Sequence, residues 1–186
     1  MPKTSQEDYK MTENIVIAGF GGLVVLFARK ILAYAALIKG KQLSWLPSYG
    51  PEMRGGTANC HVIVSDEPVG SPIIITPDIL ICMNKPSLDK FENDVRPGGT
   101  IVYDKSLIDR DVKRDDVKSV GIEATGIATN EAKANMANMI MLGALLKATD
   151  IFTLDEIRAG VEKAVPPTKK DLIDYNMKLI ERGYNQ

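Results

Sequence analysis

The sequence predicts an α/β fold: a mostly parallel sheet in the middle of three layers, helices on its faces, and a helical C-terminal third. Three observations predict it. The chain opens on a short apolar run, a glycine turn and a long apolar helix (Asn14 to Lys39). Short β-branched runs then recur, separated by turn residues and polar segments. From Glu131 onward, helix-forming stretches with recognisable caps take over. Strands that alternate with helices are best satisfied by a parallel sheet covered on both sides. The expected arrangement is Rossmann-like.

Taken in order, Asn14 to Ala18 (Asn-Ile-Val-Ile-Ala) reads as a short buried strand. Gly19-Phe-Gly-Gly turns the chain into a helix that runs to about Lys39, with Gly40 as its C-cap. Gln42 to Leu46 fits a second strand, and Pro47 to Gly56 is a loop rich in glycine and proline. Thr57 to Ser65 is β-branched and apolar enough for a strand. Ile79 to Met83 is another, and Gly99 to Asp104 follows the Pro97-Gly98 turn. Ser119 to Glu123 closes the sheet. Glu131 to Lys147 reads as one long helix. Thr153 and Glu156 form a capping-box pattern for a helix ending near Ala164. Pro166-Pro167 breaks the chain, and Thr168 caps a last helix that ends near Gly183.

The composition narrows the function. The chain has 186 residues, 45% of them apolar and 25% charged, which suits one globular domain. Residues 1–12 read as a flexible tail, with Met11 as an alternative start, and residues 13–186 as a single domain. The net charge of −1 supplies no basic field for nucleic acid or anionic membrane. The apolar stretch from Leu23 to Ile38 is interrupted by Arg29 and Lys30 and is shorter than the ~20 residues of a membrane span. No secretory signal is visible in the polar N-terminus, so a cytoplasmic location is expected. The two cysteines, Cys60 and Cys82, are too few for a disulfide framework or for the four thiolates of an iron–sulfur cluster.

Two motifs carry potential chemistry. Gly19, Gly21 and Gly22 lie between a strand and a helix, where backbone N–H groups approach anions. A dinucleotide fingerprint needs a third glycine where Val24 stands, and the acidic residue expected about 20 residues on is missing. An anion contact and a plain tight turn both remain open. The second motif is Ser48-Tyr-Gly-Pro-Glu-Met-Arg-Gly-Gly-Thr57. Here Tyr49, Gly50, Glu52, Arg54, Gly55 and Gly56 gather an aromatic ring, a carboxylate, a guanidinium and three glycines. Arg54 suits bidentate binding of a carboxylate or phosphate, or it pairs with Glu52 and shapes the loop.

The run Pro-Ser-Tyr-Gly-Pro-Glu-Met-Arg-Gly-Gly-Thr-Ala-Asn-Cys (47–60), followed by Val-Ile-Val-Ser-Asp-Glu-Pro-Val (62–69), resembles the gamma subunits of 2-oxoacid:ferredoxin oxidoreductases, most closely those of the 2-oxoglutarate type. Ile-Ala-Gly-Phe-Gly-Gly (17–22) is similar to the opening turn of that family. Residues 137–149 are similar to its long C-terminal helix, and 176–184 to its ending. The resemblance spans nearly everything from Asn14 onward. Two features depart from the family's pattern. Leu23-Val24 stands where Gln-Gly is usual, and Arg29 where a small residue is usual.

The resemblance implies a part of an enzyme. Enzymes of this family decarboxylate a 2-oxoacid on thiamine diphosphate with Mg, pass electrons through iron–sulfur clusters to ferredoxin, and deliver the acyl group to coenzyme A. This chain lacks the Gly-Asp-Gly…Asn pattern of a metal–diphosphate site. The resemblance therefore places these cofactors on other subunits, with none tightly bound by this chain and no catalytic residue on this chain alone. The partners implied are the alpha and beta subunits, with a delta subunit as an open case, and ferredoxin as acceptor. Self-association of the isolated chain also stays open. The glycine turn and the 48–57 loop are the expected cofactor-binding or interface residues. Two competing readings are a stand-alone nucleotide-binding domain and a non-catalytic assembly or regulatory paralogue.

The remaining candidates have blander expectations. His61 follows Cys60, but adjacent strand residues point to opposite faces, so no shared metal or nucleophilic site is expected. Cys82 reads as core, and Met136, Met139 and Met141 as core or subunit-interface filler and not a cofactor box. Asn135 and Asn138 are three apart on the expected helix and so on one face. Asn84-Lys85 ends a strand, where α/β sheets tend to bind ligands. The charge run from Lys105 to Lys118 reads as solvated surface.

Overall fold

A computed structural model gives the fold for residues 11–20, 22–48, 56–131 and 134–186, with the side chains of 22–26 and 134 left aside. The expected sites at Gly21, Tyr49, Gly50, Glu52, Arg54 and Gly55 lie outside the described residues. The strands are β1 (Thr12–Gly19), β2 (Gln42–Ser48), β3 (Ala58–Ser65), β4 (Ile79–Cys82), β5 (Thr100–Asp104) and β6 (Lys118–Ile122). The helices are α1 (Gly22–Ile38), α2 (Lys85–Phe91), α3 (Ala124–Asn130), α4 (Ala137–Thr149), α5 (Leu154–Ala164) and α6 (Asp171–Tyr184).

The strands form one sheet in the order β2-β3-β1-β4-β5-β6. The β1–β4, β4–β5 and β5–β6 pairs are parallel, whereas β3 runs antiparallel to both β1 and β2. Alternation along the strands divides the core. Ile15, Ile17, Cys60, Val62, Ile79 and Ile81 face α1 and the C-terminal helices. Val16, Ala18, Leu80 and Cys82 face Leu88 and Phe91 of α2. The three layers follow directly from this period of two.

Local chemistry explains the helix ends. Gly40 has φ 76, Lys41 N donates to Ala36 O at 2.9 Å and Gly40 N to Leu37 O at 3.0 Å, the bonding of a Schellman stop for α1. Thr153 and Glu156 form the expected capping box on α5. In the helical third, Met139 and Met141 are buried and Met136 packs on the core. Among the described residues, no helix is long and apolar enough to cross a membrane.

Four details correct the sequence reading. The helix expected from Glu131 starts at Ala137, after a 3₁₀ turn over Ala134–Met136, and α3 precedes it. Asn135 therefore lies outside the helix and is exposed, while Asn138 is buried. Thr168 does not cap the last helix: it lies within a 3₁₀ turn, and α6 starts at Asp171 with no side-chain cap. Finally, the 105–118 run is not simply solvated. The α2 face of the sheet has one short helix, so this run supplies Ile108 and Val112 as cover. Arg110 then reaches Glu92, which is only 3% exposed, with contacts of 2.8 and 3.1 Å.

Candidate functional site

The sheet has a switch point between β1 and β4. From β1 the chain crosses through α1 toward β2 and β3, and from β4 it turns the opposite way through α2 to β5. The face assignments put α1 and α2 on opposite sides. Neighbouring parallel strands with diverging connections leave a crevice at their carboxyl ends, where open α/β sheets bind ligands. Gly19 ends β1 here, paired with Ala58 at the start of β3, and Ala18 pairs with Cys82 at the end of β4.

Two of the expected glycines meet at this edge. A Cβ on Gly19 would lie 2.8 Å from Met83 Cβ, so the end of β1 approaches the chain leaving β4 too closely for a side chain. Gly56 has φ +75, and a Cβ there would lie 2.6 Å from Phe20 Cε1. The backbone conformation requires glycine at 56, and a side chain there would also displace the Phe20 ring. Phe20 thus lies against Gly56 and links the glycine turn to the exit of the 48–57 segment, while staying 57% exposed. Gly22 is the first residue of α1.

Asn84 joins the same junction. It is 1% exposed and extended (φ −156, ψ 163), as an N-cap should be. Its Oδ1 accepts from Ser87 N at 3.1 Å, while its Nδ2 donates to Gly56 O at 2.6 Å. Ser87 Oγ also donates to Gly56 O, at 3.4 Å. Beyond the cap, Lys85 pairs with Asp109 at 2.6 Å. The strand-end position of Asn84 was legible in the sequence, but Phe20 and Ser87 were not singled out. Asn84-Lys-Pro-Ser87, an N-cap residue with proline in the first turn, was the available signal.

Other candidates fall away from the crevice. Arg29 lies with its guanidinium carbon 5.7 Å from the centre of the Trp45 ring, in a groove of about 200 Å³ between α1 and β2. A cleft of about 250 Å³ beside β6 is lined by Lys118, Gly121, Lys147 and Gly183. Cys60 and Cys82 are both fully buried free thiols, and burial pushes both thiols up, away from the thiolate. His61 points to the other face from Cys60, and its Nδ1 accepts the Ile74 amide at 3.0 Å. Among the described residues, no group of three or more His, Cys, Asp or Glu is placed to hold a metal ion. Two separated core thiols do not fit an iron–sulfur cluster, and the described crevice offers glycines and Asn84 but no carboxylate set for a metal–diphosphate.

Comparison with known proteins agrees with this architecture. The chain is 43% identical over 173 residues to the ketoisovalerate oxidoreductase subunit VorA of Methanothermobacter marburgensis, covering 91% of this chain but 35% of that protein. The chain thus spans about a third of the length of that relative. It is 36% identical over 178 residues to the 2-oxoglutarate synthase subunit KorC of Methanocaldococcus jannaschii, covering 94% of both. The solved gamma subunit of a keto/oxoacid ferredoxin oxidoreductase from Geobacter sulfurreducens superposes with a TM-score of 0.79 at 27% identity, covering 93% of this chain and 96% of that one. The family model described as pyruvate ferredoxin/flavodoxin oxidoreductase matches residues 14–186, from the first core strand through the last helix, and the chain belongs to that family.

Proposed function

We propose that this chain is the gamma subunit of a multi-subunit 2-oxoacid:ferredoxin oxidoreductase, with residues 13–186 acting as one domain. The observation that carries the reading is its end-to-end match with a relative of the same length that is itself named as a subunit. The residue inventory supports it. Among the described residues, the two free thiols are both buried and no cluster of metal-ligating side chains occurs, which suits a chain whose redox centres lie on partner subunits. The assembled enzyme would work in the cytoplasm, carry thiamine diphosphate, Mg and iron–sulfur clusters on alpha, beta or delta subunits, use coenzyme A, and reduce ferredoxin.

Within that assembly, the 48–57 segment faces the shared active-site boundary, with Arg54 and Glu52 as its charged contacts. Its exit at Gly56 lies beside the switch-point crevice, and this supports the assignment. Gly19 and Gly22 border the same edge, and Gly21, Tyr49, Gly50 and Gly55 are assigned with them from the sequence. What this chain contributes is shape and position: it closes the site and presents a guanidinium to an anionic group. Exposed Trp45 and Leu46 on edge strand β2 also suit a chain that packs against others.

The substrate we propose is 2-oxoglutarate, supported by the same relative of matching length. The second reading, ketoisovalerate, is favoured by the 43% identity to VorA. Arg54→Ala in the assembled complex is expected to lower turnover, or the yield of complex, by about tenfold or more. That is the scale of losing one desolvated charge contact. Unchanged turnover with unchanged assembly contradicts the role given to the segment.

A further inference from the structure

We infer that Asn84 is a positioning residue that, with Phe20, fixes the exit of the 48–57 segment against the carboxyl end of β4. The inference rests on the reading of that segment as a functional boundary, and it adds the residues that hold it in register. Asn84 divides its side chain between two tasks. Oδ1 caps α2 through Ser87 N at 3.1 Å, and Nδ2 holds Gly56 O at 2.6 Å. The two contacted backbone groups lie on opposite sides of the chain's crossover: Gly56 leads into β3, and Ser87 opens the helix after β4. Asn84 is buried, so neither contact competes with bulk water.

The geometry leaves little slack. The Gly56 carbonyl is held by Asn84 and Ser87, and the Phe20 ring, which belongs to the glycine turn, fills the space where a side chain at 56 would stand. A displacement at the Phe20 turn is therefore passed to Gly56, and one at Gly56 to the start of α2. Helix capping alone needs only an oxygen at position 84, and Ser, Thr or Asp would serve. The amide nitrogen is the part that capping leaves unexplained, and it is the part bonded to Gly56.

Asn84→Asp, ionised, separates the tasks: it keeps the capping oxygen and sets an acceptor against the Gly56 carbonyl where the amide donated, so both readouts are taken well above the pH at which a buried carboxyl would be protonated. The test uses the assembled oxidoreductase, with Arg54→Ala alongside. N84D is expected to assemble in the same stoichiometry, to exchange amide hydrogens faster in peptides covering Gly56 to Cys60, and to lose roughly tenfold or more in kcat per assembled complex, because small misplacements near a reacting centre have effects of that order. Phe20→Ala, at an exposed position with little folding hazard, should move both readouts the same way and stands in if N84D does not assemble. A residue that only stabilises the fold would lower the amount of complex and leave kcat per complex unchanged. Unchanged exchange in N84D and F20A overturns the pin, even where R54A lowers turnover. Faster exchange with unchanged kcat, while R54A lowers turnover, overturns the positioning role. Unchanged kcat in all three variants overturns the functional reading of the segment, and this inference with it.

Discussion

His61 is the only histidine in the chain, and its environment gives it a clear pH signature. Burial lowers its pKa from the ordinary 6.5, and its Nδ1 lone pair is engaged by the Ile74 amide. The unfolded chain therefore takes up this proton first as pH falls. The stabilising contribution is complete above about pH 6.5 and is lost as pH drops through the depressed folded value. Denaturant unfolding at several pH values from 7 to 5 should show the wild type losing stability relative to His61→Asn, whose side chain can still accept from Ile74. Parallel stability curves for the two proteins would contradict this. The opposite-face placement of Cys60 and His61 was legible because strand periodicity is local. The pairing of His61 with Ile74, and of Asn84 with Gly56, was not, because each joins segments brought together only by the fold.

Helices α4 and α6 pack with reciprocal glycines. A Cβ on Gly143 would lie 1.9 Å from Ile180 O, and one on Gly183 would lie 1.9 Å from Ile140 O. Both obstacles are backbone, so no rotamer change relieves them. Gly143→Ala or Gly183→Ala must force the helices apart, at a cost of about 3 kcal/mol, the upper end of overpacking effects. Thermal or denaturant unfolding measures it, and a loss within the ~0.5 kcal/mol of an ordinary surface change would contradict the close approach. Thr153→Ala, by contrast, removes only the α5 cap contact, worth about 1 kcal/mol, by the same measurement. That box was visible in the sequence because both of its partners lie within one turn. Helices α2 and α3 were missed because each is only seven residues long: α2 carried a local cap signal at Asn84 that went unused, whereas α3 has no side-chain cap of its own and is held by distant Asp104, which accepts from Thr125 N at 3.1 Å. The end of α1 was legible because glycine itself is the signal for the left-handed stop that Gly40 adopts.

At the scale of the molecule, strand order decides which candidate residues come together. The reversal of connections at β1 and β4 places the Gly19–Phe20 turn, the exit at Gly56 and the Asn84 cap on one edge. A sequence reader sees these as three separate motifs, and only the topology joins them. Among the described residues, the junction is built from glycines, an aromatic ring and an amide. The most direct test is reconstitution of the oxidoreductase with and without this chain, assayed for dye reduction against a panel of 2-oxoacids. The account predicts that the chain co-elutes with larger thiamine-binding subunits, and that reduction requires this chain, coenzyme A and a 2-oxoacid, with 2-oxoglutarate fastest. A chain that elutes alone, or activity that survives its omission, would contradict it.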